Sequence, residues 1–485
     1  MPVIVGCDNF GSGGIVLIAA VKTQSTFLIL SVLACFICLT SVSVHAQTQT
    51  RVRITVSSAT EIAVHAELAV PSRSWSFRNA YAGALGLAER IERFRANDRA
   101  VQKIAVGEYR FNENAGSIDY VVRLRRPSPG EVAHVTWLTE DHGVLVFSDL
   151  LPQAFESFAA EFVLPSGWMV QSSITPEEDG QYQVFDPDEA VFMVGRSIRQ
   201  TSKKELETFI AGTWPFKDSV AANAAVRVME KYAELTGFKL PARPFLMIAP
   251  LPVASSLTKW RAQTRGSTIL LLIDPQARNA NWKSQLEIIF THEVLHLWVP
   301  NALALRGDYD WFFEGFTLYT ALLTALELKA IDFREYLDTL ARVYDSYLSY
   351  WDSLSLISAS ERRWTSNTPV VYDKGMLVAF LYDLLIRRES NGKKTVLDVY
   401  RELFTRPAAD RADGNDVIIQ LLSSTPATAA FAKAFITGNQ QLEPERPLAA
   451  YGFLLDASGK TSRLNVATQV DENQKRLLKS LGYRN

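Results

Sequence analysis

His292-Glu293-Val294-Leu295-His296 decides how this chain is read. Residues four apart on a helix lie one above the other, so both imidazoles reach a single metal ion. Glu293 projects beside them, where a carboxylate takes a proton from an attacking water. The neighbouring residues support a helix. Ser284 and Glu287 form a capping box, apolar residues recur at Leu286, Ile289, Phe290 and Leu297, and Pro300 sets a stop. The bland alternative is a pair of histidines on a buried helix that holds no ion.

A catalytic zinc site needs a third protein ligand and one open position. Trp311-Phe312-Phe313-Glu314-Gly315-Phe316-Thr317-Leu318-Tyr319 follows a short polar connection containing Asp308 and Asp310. Either aspartate is suited to cap a second helix, whose apolar stripe continues through Leu322, Leu323 and Leu326. Glu314 stands alone as an acidic residue in the first turns of that helix. Burying a carboxylate among aromatics is costly unless it is paired or bound to a cation. The expectation is one Zn²⁺ per chain held by His292, His296 and Glu314, with Glu293 as the base.

These motifs resemble those of the gluzincin metallopeptidases, the thermolysin-like clan, in which HExxH is followed by a helix bearing Glu-Gly. Seventeen residues separate His296 from Glu314, one fewer than is usual in the clan's large aminopeptidase family, and Phe313 replaces that family's usual asparagine. The string from Trp311 to Thr317 is more similar to the glycyl aminopeptidase family. A second block agrees: Val371-Tyr372-Asp373-Lys374-Gly375-Met376-Leu377, then Leu381, Asp383, Arg387, Arg388, Gly392 and Leu397-Asp398. The resemblance implies that Tyr372 stabilises the oxyanion. It also implies an N-terminal β-sandwich and a peptide or protein substrate.

One departure bears on specificity. The family carries a Gly-Gly-Leu-Glu-His-like segment on the strand before the metal helix, and its glutamate helps hold the substrate's free ammonium. The equivalent stretch here is Trp260-Arg261-Ala262-Gln263-Thr264, running into Gly266 to Leu272, so Gln263 stands where that glutamate belongs. A neutral amide brings no opposite charge, and charge-assisted bonds are roughly twice as strong. Aminopeptidase and endopeptidase action both remain open. So do a catalytically weak zinc-containing binding protein and a zinc hydrolase of a non-peptide substrate on the same scaffold.

The chain has 485 residues and a formal charge of −2, with no basic stripe, which argues against a nucleic-acid partner. Residues 1–46 read as an export leader: Phe27 to Val44 is apolar, Lys22 precedes it, and Val44-His45-Ala46 resembles a cleavage site. Cys7, Cys35 and Cys38 all fall within it, so a processed chain holds no disulfide, which is compatible with a bacterial periplasm or secretion. An uncleaved leader is instead a membrane anchor.

The fold class expected is α+β and multidomain, with a β-sandwich over 47–200 and a thermolysin-like, mostly helical catalytic domain over 201–440. Alternation in Arg51–Val56, Ile62–Leu68 and Asp119–Arg125 reads as antiparallel strands, and Ala84 to Arg95 as an intervening helix. His134 and His142 read as structural histidines. Helices are expected over Val220–Leu235, Phe333–Tyr350, Lys374–Glu389, Val396–Phe404 and Val417–Leu422, and strands over Pro244–Ile248 and Thr268–Ile273. Ser358 to Thr368 reads as a polar loop bordering the cleft. The tail, 441–485, is too short for a complete PDZ domain and reads as a strand and a helix.

Overall fold

Alternating sequence turns every second side chain of Arg51–Ser58 inward, burying Val52, Ile54 and Val56 while Arg51 and Arg53 stay exposed. The computed structural model describes residues 49–253, 259–277, 281–350, 353–405 and 411–484. The leader expected over 1–46 lies outside them. No helix among the described residues is long and apolar enough to cross a membrane.

Among the described residues, an eight-stranded sheet is centred on Arg51–Ser58, Glu61–Ser76 and Glu108–Arg123. A four-stranded sheet follows in the order Met169–Ser172, Val191–Gly195, His142–Val146, Trp137–Leu138. A five-stranded sheet runs in the order Arg199–Ser202, Glu207–Ile210, Phe245–Pro250, Thr268–Ile273, Trp260–Arg265.

The layering follows from which faces are apolar. Leu145, Phe192 and Val194 of the four-stranded sheet share a core with Val52, Ile54 and Ile62 of the large sheet. Val144, Val146, Val191 and Met193 point the other way, into a core with Phe209, Met247, Leu270 and Leu272 of the five-stranded sheet. A strand buried on both faces must be apolar throughout, and Val191–Gly195 is. Ile248, Ile269 and Leu271 then bury the last face against the helices. Residues Gln49–Asn485 thus form one compact unit.

The structure corrects three expectations in this part. The large sheet is mixed, because Arg51–Ser58 pairs in parallel with Phe158–Val163. Ala84 to Arg95 is no helix: a short strand, a single tight turn at Ala88–Arg90 and the strand Ile91–Ala96 occupy it. Apolar residues there serve the sheet core, which strand pairing satisfies with period two. Ser358 to Thr368 is helical, within Leu356–Glu361 and a wide-turned π-helical segment, Arg363–Asn367. Ser355 caps the first of these by accepting from the Ser358 amide at 3.1 Å.

The other helices form close to their expected spans: Asp218–Thr236, Phe333–Leu348, Gly375–Glu389, Val396–Thr405 and Gly414–Leu422. Asp218–Thr236 ends at Gly237, in the left-handed conformation that favours glycine (φ 68°), and links two parallel strands of the five-stranded sheet. The tail holds a hairpin, Phe453–Asp456 with Arg463–Val466, and a capped helix, Glu472–Ser480.

Candidate metal centre

The HExxH residues sit at the end of the helix Trp282–Glu293 and in the tight turn Leu295–Leu297. Asn281, not Ser284, caps this helix, accepting from the Ser284 amide at 3.3 Å. Glu287 is no capping-box partner either: it is buried and bonded by Arg227 at 2.6 Å. Leu286, Ile289, Phe290 and Leu297 are buried as expected and anchor the helix in the main core.

Glu314 reaches the histidines from the π-helical segment Trp311–Phe316, which runs directly into the helix Thr317–Glu327. Neither Asp308 nor Asp310 caps it with a side chain. Asp310 instead accepts from Arg363 at 2.7 Å, an ion pair that the sequence did not reveal. The Glu-Gly and Lys-Gly pairs belong together physically. A Cβ on Gly315 would lie 2.6 Å from both Gly375 Cα and the Val371 carbonyl oxygen. Two glycines let the segments cross backbone to backbone, and that crossing brings Glu314 beside Tyr372 of the π-helical turn Val370–Lys374. Asp383 and Arg387 of the second block lie elsewhere: they bond at 2.8 Å, with the Tyr319 hydroxyl donating to Asp383, and brace the helices.

Three atoms converge on one point. His292 Nε2 and His296 Nε2 are 3.1 Å apart, and Glu314 Oε2 lies 3.5 Å and 3.6 Å from them. Ligands about 2.0–2.1 Å from a tetrahedral zinc ion stand about 3.3 Å from one another. The observed triangle has those edges. Glu314 Oε2 is buried and has no hydrogen-bond partner, which is costly for a carboxylate oxygen unless a cation completes it. His296 Nδ1 is 3.1 Å from the Val299 carbonyl; donating there leaves Nε2 bare and directed at the same point. The residues present therefore fit a zinc ion. Fit is also chemical: two neutral imidazoles and one carboxylate are ligand types that zinc takes.

The outer residues were not legible in the sequence. Arg363 donates to Glu314 Oε1 at 2.8 Å, so one carboxylate oxygen is held while the other faces the histidines. It also bonds the Tyr372 hydroxyl and lies over the Tyr372 ring at 5.1 Å. Thr264 Oγ1, on the edge strand, is 2.8 Å from the Glu293 carbonyl and 3.0 Å from its Oε2. Burial opposes charge on Glu314, yet His296 and Arg363 hold its carboxyl well below the usual range. Burial likewise works against a charged His296, and the Glu314 carboxylate outweighs it, lifting the imidazole above its ordinary value. The Tyr372 phenol is pushed well up by burial and by Glu314. The ring of neighbouring Trp364 lies 4.3 Å from the Arg363 guanidinium.

Gln263 lies on the Trp260–Arg265 edge strand, as the sequence placed it, with its Oε1 buried and unpartnered. His134 stands across from it, and His142 packs edge-on to Trp137; neither belongs to the ligand set.

The fold is one found among solved structures of M1 and aminopeptidase N family zinc metallopeptidases. An aminopeptidase N family protein from Idiomarina loihiensis matches over 87% of this chain and 82% of its own, at 16% identity and a TM-score of 0.69. An M1 zinc metallopeptidase from Deinococcus radiodurans, in a mutant form bound to a Tyr-Ser-Ala substrate, matches over 81% and 94%, at 14% identity and a TM-score of 0.54. No protein-family model matches the chain, and no curated protein matches it.

Proposed function

We propose that this chain is a zinc-dependent metallopeptidase of gluzincin type, related to the glycyl aminopeptidase branch, with a thermolysin-like catalytic domain over 201–440 that hydrolyses peptide bonds. The observation that carries the reading is the triangle of His292 Nε2, His296 Nε2 and Glu314 Oε2 beside a carboxylate with no ligand role. His292, His296 and Glu314 hold one Zn²⁺ per chain. A bound zinc ion supplies Lewis acidity, polarising a carbonyl and lowering the pKa of water toward about 7.

The rest is done by this chain's own residues. Glu293 takes the proton of the attacking water at its carboxylate and passes it to the leaving amine. Thr264 fixes that carboxylate through the contact at Oε2. Arg363 donates to the Tyr372 oxygen, which leaves the phenolic hydrogen free to meet the developing oxyanion. Neighbouring folds are described with a peptide or an amino acid bound, which supports a peptide substrate here. We extend the proposal to location: residues 1–46 direct export and are removed.

Metal analysis of the purified protein, beside hydrolysis of a peptide library, tests the function. About one zinc per chain and cleavage are expected. Glu293→Gln retains zinc and loses hydrolysis; a fully active Glu293→Gln protein sinks the assignment.

A further inference from the structure

Among the described residues, a circuit of side chains beside the candidate metal centre runs from Glu314 to Glu293. Starting from Glu314, Arg363 bonds the carboxylate, Trp364 lies against Arg363, and the His134 ring meets Trp364 edge-on at 6.3 Å. His134 faces Gln263 on the edge strand, and Thr264, the next residue along, touches Glu293. The carboxylates on this circuit already have work. Glu293 is the base, Glu314 a ligand, and Asp310 is bonded by Arg363.

Strand alternation sets Thr264 toward Glu293 and puts Arg261, Gln263 and Arg265 on the opposite face. Arg261 donates to the Pro129 carbonyl at 2.9 Å. Arg265 donates to the Asp188 carbonyl at 2.8 Å and the Ser148 hydroxyl at 3.2 Å. Those neutral partners leave positive charge on both sides of Gln263. An ammonium brought there meets an uncharged amide between two guanidiniums of the same strand, and like charges brought together are strongly unfavourable.

Gln263 Oε1 and His134 Nδ1 on this wall are buried and lack a partner at full hydrogen-bond geometry, and the two side chains stand close enough that the amide favours a proton on the imidazole. Native structures seldom leave such atoms unmet, and a ligand is one way of meeting them. Burial first, and then Arg265, bring the His134 imidazole down to about 4, so it is neutral near pH 7 and offers one N–H and one bare nitrogen. Its loop is firmly held. The Thr136 amide and hydroxyl bond Asp149 at 2.7 Å and 2.6 Å, and Asp149 pairs with buried Arg90 at 3.0 Å.

An amide acceptor beside a neutral imidazole matches another amide, whose N–H meets Gln263 and whose carbonyl meets the imidazole N–H. The geometry points to Gln263 and His134 as an amide-binding subsite, so that the enzyme takes peptides whose nitrogen before the cleaved residue is acylated, in an N-acyl group or an internal peptide bond, and rejects a free ammonium there. This rests on the metallopeptidase reading above.

The test uses zinc-loaded protein and two probes, leucine hydroxamate and N-acetyl-leucine hydroxamate, with affinity measured by calorimetry. The acetylated probe binds about tenfold more tightly, the worth of two neutral hydrogen bonds. Gln263→Glu reverses the order by restoring a carboxylate, and Gln263→Met weakens only the acetylated probe. Equal or tighter binding of the free-amine probe by the parent protein overturns the subsite, as does an unchanged ratio in Gln263→Glu or no binding of either probe. A separate failure marks the peptidase reading: probes bind in the stated order, yet acetylated and free peptides are both cleaved no faster than by Glu293→Gln.

Discussion

Replacing Arg363 by methionine keeps the length of the stem and removes the guanidinium that joins Glu314, Asp310 and Tyr372. Side chains of Arg363 and Glu314 are each about 10% exposed, so the pair lives largely out of water. Removing one partner of such a pair leaves an uncompensated buried charge, at about 3–5 kcal/mol. Here two carboxylates lose their partner together. Part of the cost disappears by protonation, because burial alone raises a carboxyl pKa and Arg363 is one of the groups holding Glu314 down. A proton on Glu314 competes with zinc.

Loss of residues that orient a metal ligand lowers affinity by about 10–100-fold, or about 1.4–2.7 kcal/mol. Zinc affinity of Arg363→Met, measured by competition with a chromophoric chelator, is therefore expected to fall by that factor. Turnover at saturating zinc falls further, because Tyr372 also loses its anchor. Arg363→Lys retains the charge but cannot span three partners with a compact ammonium, so it lands between the two. Circular dichroism and gel filtration confine the comparison to folded protein. Zinc affinity within threefold of the parent, with normal turnover, refutes the role given to Arg363.

Two further predictions come from packing and from charge. Gly315→Ala drives a methyl into Gly375 and the Val371 carbonyl, so denaturant unfolding should lose about 1–3 kcal/mol, whereas Gly116→Ala, with open space around it, should change stability by less than about 0.5 kcal/mol. Equal effects at the two glycines discard the crossing argument. His134 titrates near 4 in the folded chain and near 6.5 when unfolded, so the unfolded state binds more protons between those values. Stability then falls as pH drops from about 6.5 to 4, by up to about 3 kcal/mol in total at about 1.4 kcal/mol per unit. Urea unfolding of His134→Phe across that range should show a shallower dependence than the parent, and parallel curves dispose of the idea.

What the sequence made legible is what a local pattern can encode. His292, Glu293 and His296 lie on one helical repeat, and Glu314 declares itself by being acidic where its neighbours are aromatic. Strands such as Thr268–Ile273 were readable because five apolar residues in a row after Thr268 suit a strand buried on both faces. The partners that hold these groups lie far along the chain. Arg363 is 49 residues from Glu314, and Thr264 is 29 from Glu293. Nothing in the spacing of either pair has a period. Ser358 to Thr368 was read as a loop because its polar residues hide the helical turns that Ser355 caps, and the arginine that organises the centre sits there. The glycines taught the opposite lesson: each was visible in its own motif, but only the crossing of Gly315 on Gly375 explains why both motifs need one. A site of this kind is therefore written twice. Its ligands are encoded as local patterns, and its orientation in contacts that exist only once the sheets and helices have stacked. Substitutions at the first level should remove chemistry, and those at the second should weaken zinc affinity and turnover together while a metal site remains.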